Sequence, residues 1–253
     1  MNYYEIKQEL LSLKHPYPKS EKLRKAFTSL SYLSEVAPDF SYELREFIRL
    51  WLTEGVPYAF SNVPYLYERI RSYLADELYV FPKNIFIIGS GKIGTSLAPK
   101  DFPRKFNSKE SDLDFTITDN KLFDKLCKDF LDWKEDYENE KCKPEENQKK
   151  YWLDNVKKVP NNIKRGFIDI HKIPAYKQYE TRYRFAIIVP ALINLIKSYT
   201  KCQYSDRRIS FRIYKDWNSF FNQMEFNLKC LIDKIKLNSS NGMENSRVKR
   251  WHL

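Results

Sequence analysis

A glycine-rich turn and three acidic residues carry the chemistry this sequence offers. The turn lies in "IFIIGSGKIGTSLAP", residues 85–99, where an apolar run ends abruptly at Gly89, followed by Gly91 and Gly94. Turns of this composition let backbone N–H groups approach a phosphate with no Cβ in the way. The acids are Asp112 and Asp114 in "SDLDF" and Asp169 in "GFIDIHKIP". Alternate residues of a strand share a face, so Asp112 and Asp114 project together while Leu113 and Phe115 point the other way. Asp169 projects opposite to Ile168 and Ile170 by the same rule. A carboxylate on such a strand is costly unless something cationic meets it. Three of them converging at one edge would repel one another, and divalent ions with phosphate relieve that repulsion, because Mg²⁺ prefers carboxylate and phosphate oxygens.

Three phosphate sites compete for the turn. Gly89, Gly91 and Gly94 fit the spacing of a dinucleotide-binding crossover, which needs a helix directly after the third glycine. Here "TSLAPKDFPRKFNSKES" follows, with Pro99 and Pro103 and no apolar periodicity. The acid expected about 20 positions on should close a second strand, whereas Asp112 opens one. A Walker-type loop fails because Lys92 is followed by Ile93 rather than Ser or Thr.

The third reading joins the turn to the acids. Gly89-Ser90 after a strand, Gly94-Thr95, Ser111-Asp112-Leu113-Asp114 on the next strand and Asp169 on a later one resemble the DNA polymerase β-type nucleotidyltransferase superfamily. The nearest flavour is its bacterial cGAS/DncV-like and oligoadenylate-synthase-like branch, and the resemblance covers roughly residues 84–200. One departure is the long gap between Ser90 and Asp112, which predicts an inserted loop, "PKDFPRKFNSKE", and leaves the branch open. The resemblance implies an α+β nucleotidyltransferase fold: a small mixed sheet with flanking helices, a helical N-terminal region and a helical C-terminal lobe. It also implies an NTP or dNTP over Gly89 and Ser90, with Thr95 beside them. Two Mg²⁺ or Mn²⁺ ions would be held by Asp112, Asp114 and Asp169 as the catalytic acids. Lys197 resembles the helical lysine that contacts triphosphate in related enzymes, and Lys92 is a second candidate for that contact. A base-stacking aromatic is expected but cannot be singled out among 18 Tyr and 17 Phe. His171 shares the face of Asp169 and reads as an ordinary packed or solvated histidine.

The elements that must position these residues follow from periodicity. Leu44, Phe47, Ile48 and Trp51 in "SYELREFIRLWL" recur at helical spacing behind Ser41, a candidate cap. Leu66, Ile70, Tyr73 and Leu74 make a second stripe, with Pro64 near its first turn. Strands are predicted at 84–88, 112–118 and 166–173, with "TRYRFAIIV" as a further strand candidate. A helix is predicted over 119–133, then an exposed charged insertion, "KEDYENEKCKPEENQKK". Pro190 opens a helix in "PALINLIKSYTK", and a long helix spans roughly 214–237 before a polar tail in which "RVKRW" could touch an anion. The organisation is thus 1–80, a helical region packed on the core; 81–190, the catalytic core; and 191–253, a helical lobe.

Composition bounds the partners. The net charge of +11 and pI near 9.3 favour polyanions such as nucleotides and nucleic acid, or an acidic partner protein, although lysine-rich composition alone also gives basic proteins. The same charge argues against polycationic acceptors such as aminoglycosides. No run approaches the roughly 20 apolar residues of a membrane span, and "MNYYEIKQELL" is unlike a signal peptide, so a cytoplasmic protein is expected with no membrane partner. Cys127, Cys142, Cys202 and Cys230 are widely spaced, unlike zinc sites or a disulfide framework. The expected activity is template-independent nucleotidyl transfer (EC 2.7.7 class) to a nucleotide, oligonucleotide or nucleic-acid 3′ end, with signal synthesis in bacterial antiphage defence as its setting. A phosphate track is expected from the insertion after Pro99, "NIKRG", and "DRRISFRIYK" with Arg207 and Arg208. The alternatives are a basic binding module with a non-catalytic core of this type, or a protein-modifying nucleotidyltransferase.

Overall fold

The computed structural model describes residues 41–107, 110–200 and 208–248. Its centre is a four-stranded mixed sheet in the order β1-β2-β4-β3, from β1 (Ile85–Ile88), β2 (Leu113–Thr118), β3 (Phe167–Asp169) and β4 (Ile209–Tyr214). β1 runs antiparallel to β2, β2 parallel to β4, and β3 antiparallel to β4. This is an α+β architecture with the sheet covered on both faces.

Strand parity sorts the side chains into two cores. Ile85, Ile87, Leu113, Phe115, Ile117, Ile168, Phe211 and Ile213 face one side. There they meet α2 (Pro64–Leu78), α4 (Asn120–Glu138), α5 (Lys149–Lys164) and α6 (Glu180–Thr200). Phe86, Phe167 and Tyr214 face the other side, against α1 (Ser41–Phe47) and α7 (Trp217–Val248). Burying each large apolar side chain contributes about 1.5–3 kcal/mol, so both helical layers are held firmly to the sheet. Arg45 on α1 reinforces the second layer through an ion pair with Glu225 and a 3.1 Å hydrogen bond to Asn222, both on α7.

Local sequence accounts for the helix limits. Pro64 sits in the first turn of α2, where its missing N–H costs nothing, and Leu66, Ile70 and Leu74 form the buried stripe. Asp119 caps α4 by accepting the Leu122 N–H at 2.8 Å. The helix α1 runs on into a π-helical turn, Ile48–Thr53, that carries Trp51 and Leu52 into the second core.

Several expectations need correction. "TRYRFAIIV" is the first half of α6 rather than a strand, and Pro190 lies inside that helix rather than in its first turn. Phe185, Ile188, Leu192 and Ile196 recur at three- and four-residue steps on its buried side, a period that overrides the short apolar run. The expected boundary at 190/191 therefore falls within α6. The C-terminal region also supplies β4, which stands between β2 and β3 in the sheet. The charged insertion is partly ordered, forming the end of α4 and the start of α5. Residues 1–40, Cys202, Arg207 and most of the "RVKRW" segment lie outside the described residues.

Candidate active site

Gly89 closes β1 with φ 69° and ψ −153°, a region open essentially to glycine alone. A Cβ built there would stand 3.0 Å from Asp114 Oδ2, so the turn and the carboxylate are in direct apposition. The register explains it, because Ile88 pairs with Asp114 across β1 and β2. Ser90 begins the short helix α3 (Ser90–Ile93), whose first N–H groups have no intrahelical acceptor. After Gly94 the chain folds back as a narrow loop: Thr95 bridges Lys105, and the Ser96 N–H donates to the Arg104 carbonyl at 2.8 Å. This is where the expected insertion goes. It forms one wall of the site.

A cavity of about 420 Å³ opens beneath that wall. Its polar lining includes Ser90, Ser96, Arg104, Asp112, Asp114, Arg212 and Asn227, with Asp101 paired to Arg104 at 3.7 Å, and Leu52, Leu97, Met224 and Leu228 are its aliphatic wall. No aromatic side chain is among its described lining residues, so the expected stacking ring has no counterpart there. A second cavity of about 670 Å³ shares Asp112, Asp114 and Arg212 with the first and adds Asp169, His171, Arg182, Phe185 and Arg208. The two carboxylates thus stand where the cavities meet.

Their electrostatics differ. Asp114 is half-buried near the start of β2, with Oδ1 accepting from the Ser210 hydroxyl at 2.7 Å. Burial raises its pKa above the ordinary carboxylate value; the Ser210 hydrogen bond works against that, and Asp112 adds to the rise. Asp112 is 45% exposed and loosely paired with Arg208 at 3.9 Å. A half-buried carboxylate with a net raised pKa, beside a second on the same strand face, suits a hard divalent cation.

Asp169 shares the second cavity with Asp112 and Asp114 but does not stand on a neighbouring strand. β4 lies between β2 and β3, and Asp169 is in register with Arg212 rather than with Asp114. Arg212 grips it with two hydrogen bonds, Nε to Oδ1 at 2.6 Å and Nη2 to Oδ2 at 3.1 Å. Burial disfavours the Arg212 charge, but the Asp169 carboxylate outweighs burial and keeps the guanidinium protonated. Among the described residues, no three His, Cys, Asp or Glu side chains form a ready metal cluster.

The remaining sequence candidates divide. Lys92 is buried on the far side of the turn, donating to the Glu54 carbonyl and, at 2.9 Å, to that of Gly55. Desolvation brings its pKa down to about 8, with Glu54 opposing. It braces the end of the π-helical turn and does not line either cavity. Thr95 is also buried and outside the lining, where its neighbour Ser96 stands instead. Lys197 is half-buried near the end of α6, seven residues past Pro190 and beyond the walls of both cavities. Ser96, Arg104, Ser210 and Arg212 are the site residues that sequence reasoning did not single out. The polar–apolar alternation of "ISFRIY" would have marked the last two.

No family model matches the chain, and comparison with curated proteins and with solved structures likewise finds no match.

Proposed function

We propose that the chain is a metal-dependent nucleotidyltransferase that moves a nucleotide from an NTP or dNTP to a hydroxyl acceptor. The observation that carries this reading is the apposition of Gly89 and Asp114, a glycine-only turn set against a half-buried carboxylate of raised pKa in one cavity. The turn gives the triphosphate close backbone approach, and the Ser90 and Ser96 hydroxyls and Arg104 offer it donors from the same wall. Asp112 and Asp114 would hold Mg²⁺ or Mn²⁺, which when bound supplies charge stabilisation for the transferring phosphoryl group. In the reaction the acceptor hydroxyl gives up its proton to solvent, its oxygen bonds to the α-phosphorus, the α–β bridge breaks, and pyrophosphate leaves. Positioning and electrostatics suffice for this chemistry, so neither His171 nor a cysteine is needed as nucleophile.

The second cavity is the acceptor side. Arg182, Arg208 and Arg212 on its wall suit an acceptor that itself carries phosphate, such as a nucleotide or oligonucleotide. Signal synthesis in bacterial antiphage defence, in the cytoplasm, is the setting that the family resemblance suggests for such a reaction.

Incubation of the pure chain with each labelled NTP and dNTP, with Mg²⁺ or Mn²⁺, tests the reading. Release of pyrophosphate with labelled product is expected, and nuclease or protease sensitivity of that product identifies the acceptor class. Failure of every nucleotide both to react and to raise the melting temperature with metal would leave a basic binding module instead.

A further inference from the structure

On the nucleotidyltransferase reading, we propose that the site works with one divalent ion, held by Asp112 and Asp114, and that Arg212, positioned by Asp169, takes the place of a second. Sheet geometry is the reason. Asp169 is two strands from Asp114 and two residues further along, since Asp114 pairs with Ser210 and Asp169 with Arg212. Strands about 4.8 Å apart and a rise of about 3.3 Å per residue put the two Cα atoms roughly 12 Å apart. Strand side chains stand roughly perpendicular to the sheet, which leaves the two carboxylates over strands that are not neighbours. An octahedral Mg²⁺ holds its oxygens at about 2.1 Å and bridges two of them across at most about 4.2 Å. Asp169 is out of reach of an ion on Asp112 and Asp114.

Its two oxygens are already taken. Arg212 engages both, in the fork geometry that fixes a guanidinium plane. The guanidinium also lies over the Phe167 ring, its carbon 4.7 Å from the ring centroid. Arg212 is therefore held by a carboxylate and a ring while its side chain lines both cavities beside Asp112 and Asp114. A fixed cation beside the reacting phosphoryl group stabilises charge on its oxygens, the service otherwise given by a metal. β4 delivers it by parity: Ser210, next to Asp114, donates to that acid without cancelling its charge, and Arg212 stands two residues on, opposite Asp169.

Counting bound Mn²⁺ tests the proposal independently of turnover. With a non-hydrolysable α,β-methylene triphosphate, electron paramagnetic resonance titration of free Mn²⁺ should give one ion per chain, unchanged in Asp169→Asn. Two ions in the native chain, falling to one in Asp169→Asn, would overturn it. Arg212→Lys keeps the charge against Asp169 and guards against misfolding. It should lower kcat about 10- to 100-fold with KM for the triphosphate nearly unchanged, and adding Asp169→Asn should then cost less than twofold more. Normal kcat in Arg212→Lys would also overturn it, leaving the ion pair a staple between β3 and β4. Failure of the nucleotidyltransferase reading looks different: the native chain then binds no triphosphate-dependent Mn²⁺ at all, and the one-ion assignment falls with it.

Discussion

Two aspartates on one face of the sheet, Asp114 and Asp169, have opposite fates, and the strand between them decides which is which. Beside Asp114, β4 places Ser210, a neutral partner whose hydroxyl donates to the carboxylate without cancelling its charge. Beside Asp169 it places Arg212, which cancels the charge with two hydrogen bonds. The first acid is left carrying a desolvation cost and a raised pKa, and the second is a finished ion pair. A carboxylate's presence on a strand therefore says little about metal binding. What its cross-strand neighbour offers says much more.

The largest expected effect separates the two. Asp114→Asn should reduce transfer by at least about 10³-fold, since the residue is asked to hold the ion on which the chemistry depends. It should also raise the melting temperature of the ligand-free protein at pH 7. The folded pKa of Asp114 lies above the ordinary 3.8, so the folded state binds this proton more tightly than the unfolded chain. Stability from this group is present below that window and is lost as pH rises through it, and at neutral pH the charge is a net cost. Asp169→Asn should do the reverse, lowering stability by about 1–3 kcal/mol by leaving a part-buried guanidinium short of its partner. Thermal denaturation of the two variants from pH 4 to 8 reads both signs. Equal shifts would erase the distinction between the acids.

That distinction was only half legible in the sequence. The alternation of Leu113 and Phe115 against Asp112 and Asp114 fixes the face on which the acids stand, and the structure keeps it. Pro64 and the Leu66–Ile70–Leu74 stripe likewise read directly as α2. β4 was missed because "DRRISFRIYK" carries so much charge that its clean period of two, Ile209, Phe211 and Ile213 against Ser210 and Arg212, reads as a basic patch. Without β4 between them, β2 and β3 would be neighbours, with Asp169 on the strand next to Asp114. In α6 the error ran the other way, because "RFAIIV" satisfies a strand pattern over six residues and a helical one only over twenty-one. α5 was hidden by lysine, since only Trp152, Asn155 and Val159 mark its buried side. Pairing order is a long-range property, and no local pattern encodes it.

The two positive-φ glycines of the turn give an intermediate effect. Gly89→Ala meets both a glycine-only backbone conformation and Asp114 Oδ2 at 3.0 Å, so it should weaken triphosphate binding as well as stability. Gly94→Ala meets the Tyr58 ring at 3.1 Å, away from the acids, and should cost stability alone. Each left-handed conformation forced on alanine costs about 1–2 kcal/mol. Isothermal titration with an NTP analogue and Mg²⁺, beside thermal denaturation, compares them. Loss of binding in Gly94→Ala with binding intact in Gly89→Ala would move the triphosphate to the other end of the turn.

The smallest effect tests whether the turn's lysine belongs to the site or to the scaffold. Lys92 is buried with its ammonium against the Glu54 and Gly55 carbonyls and is not among the residues lining the cavity. Lys92→Met keeps the aliphatic length and removes the donor, so it should destabilise the chain by about 1–2 kcal/mol. Triphosphate affinity of the folded variant should stay within about twofold. The pH dependence sharpens the point. Desolvation puts the folded pKa at about 8, below the ordinary 10.5, so between those values the unfolded chain binds more protons at this position than the folded one. Stability contributed here therefore rises with pH across that window. The deficit of Lys92→Met relative to the native chain should widen from pH 8 to pH 10, whereas a lysine that worked by pairing with phosphate would lose its effect over the same range as it lost its charge.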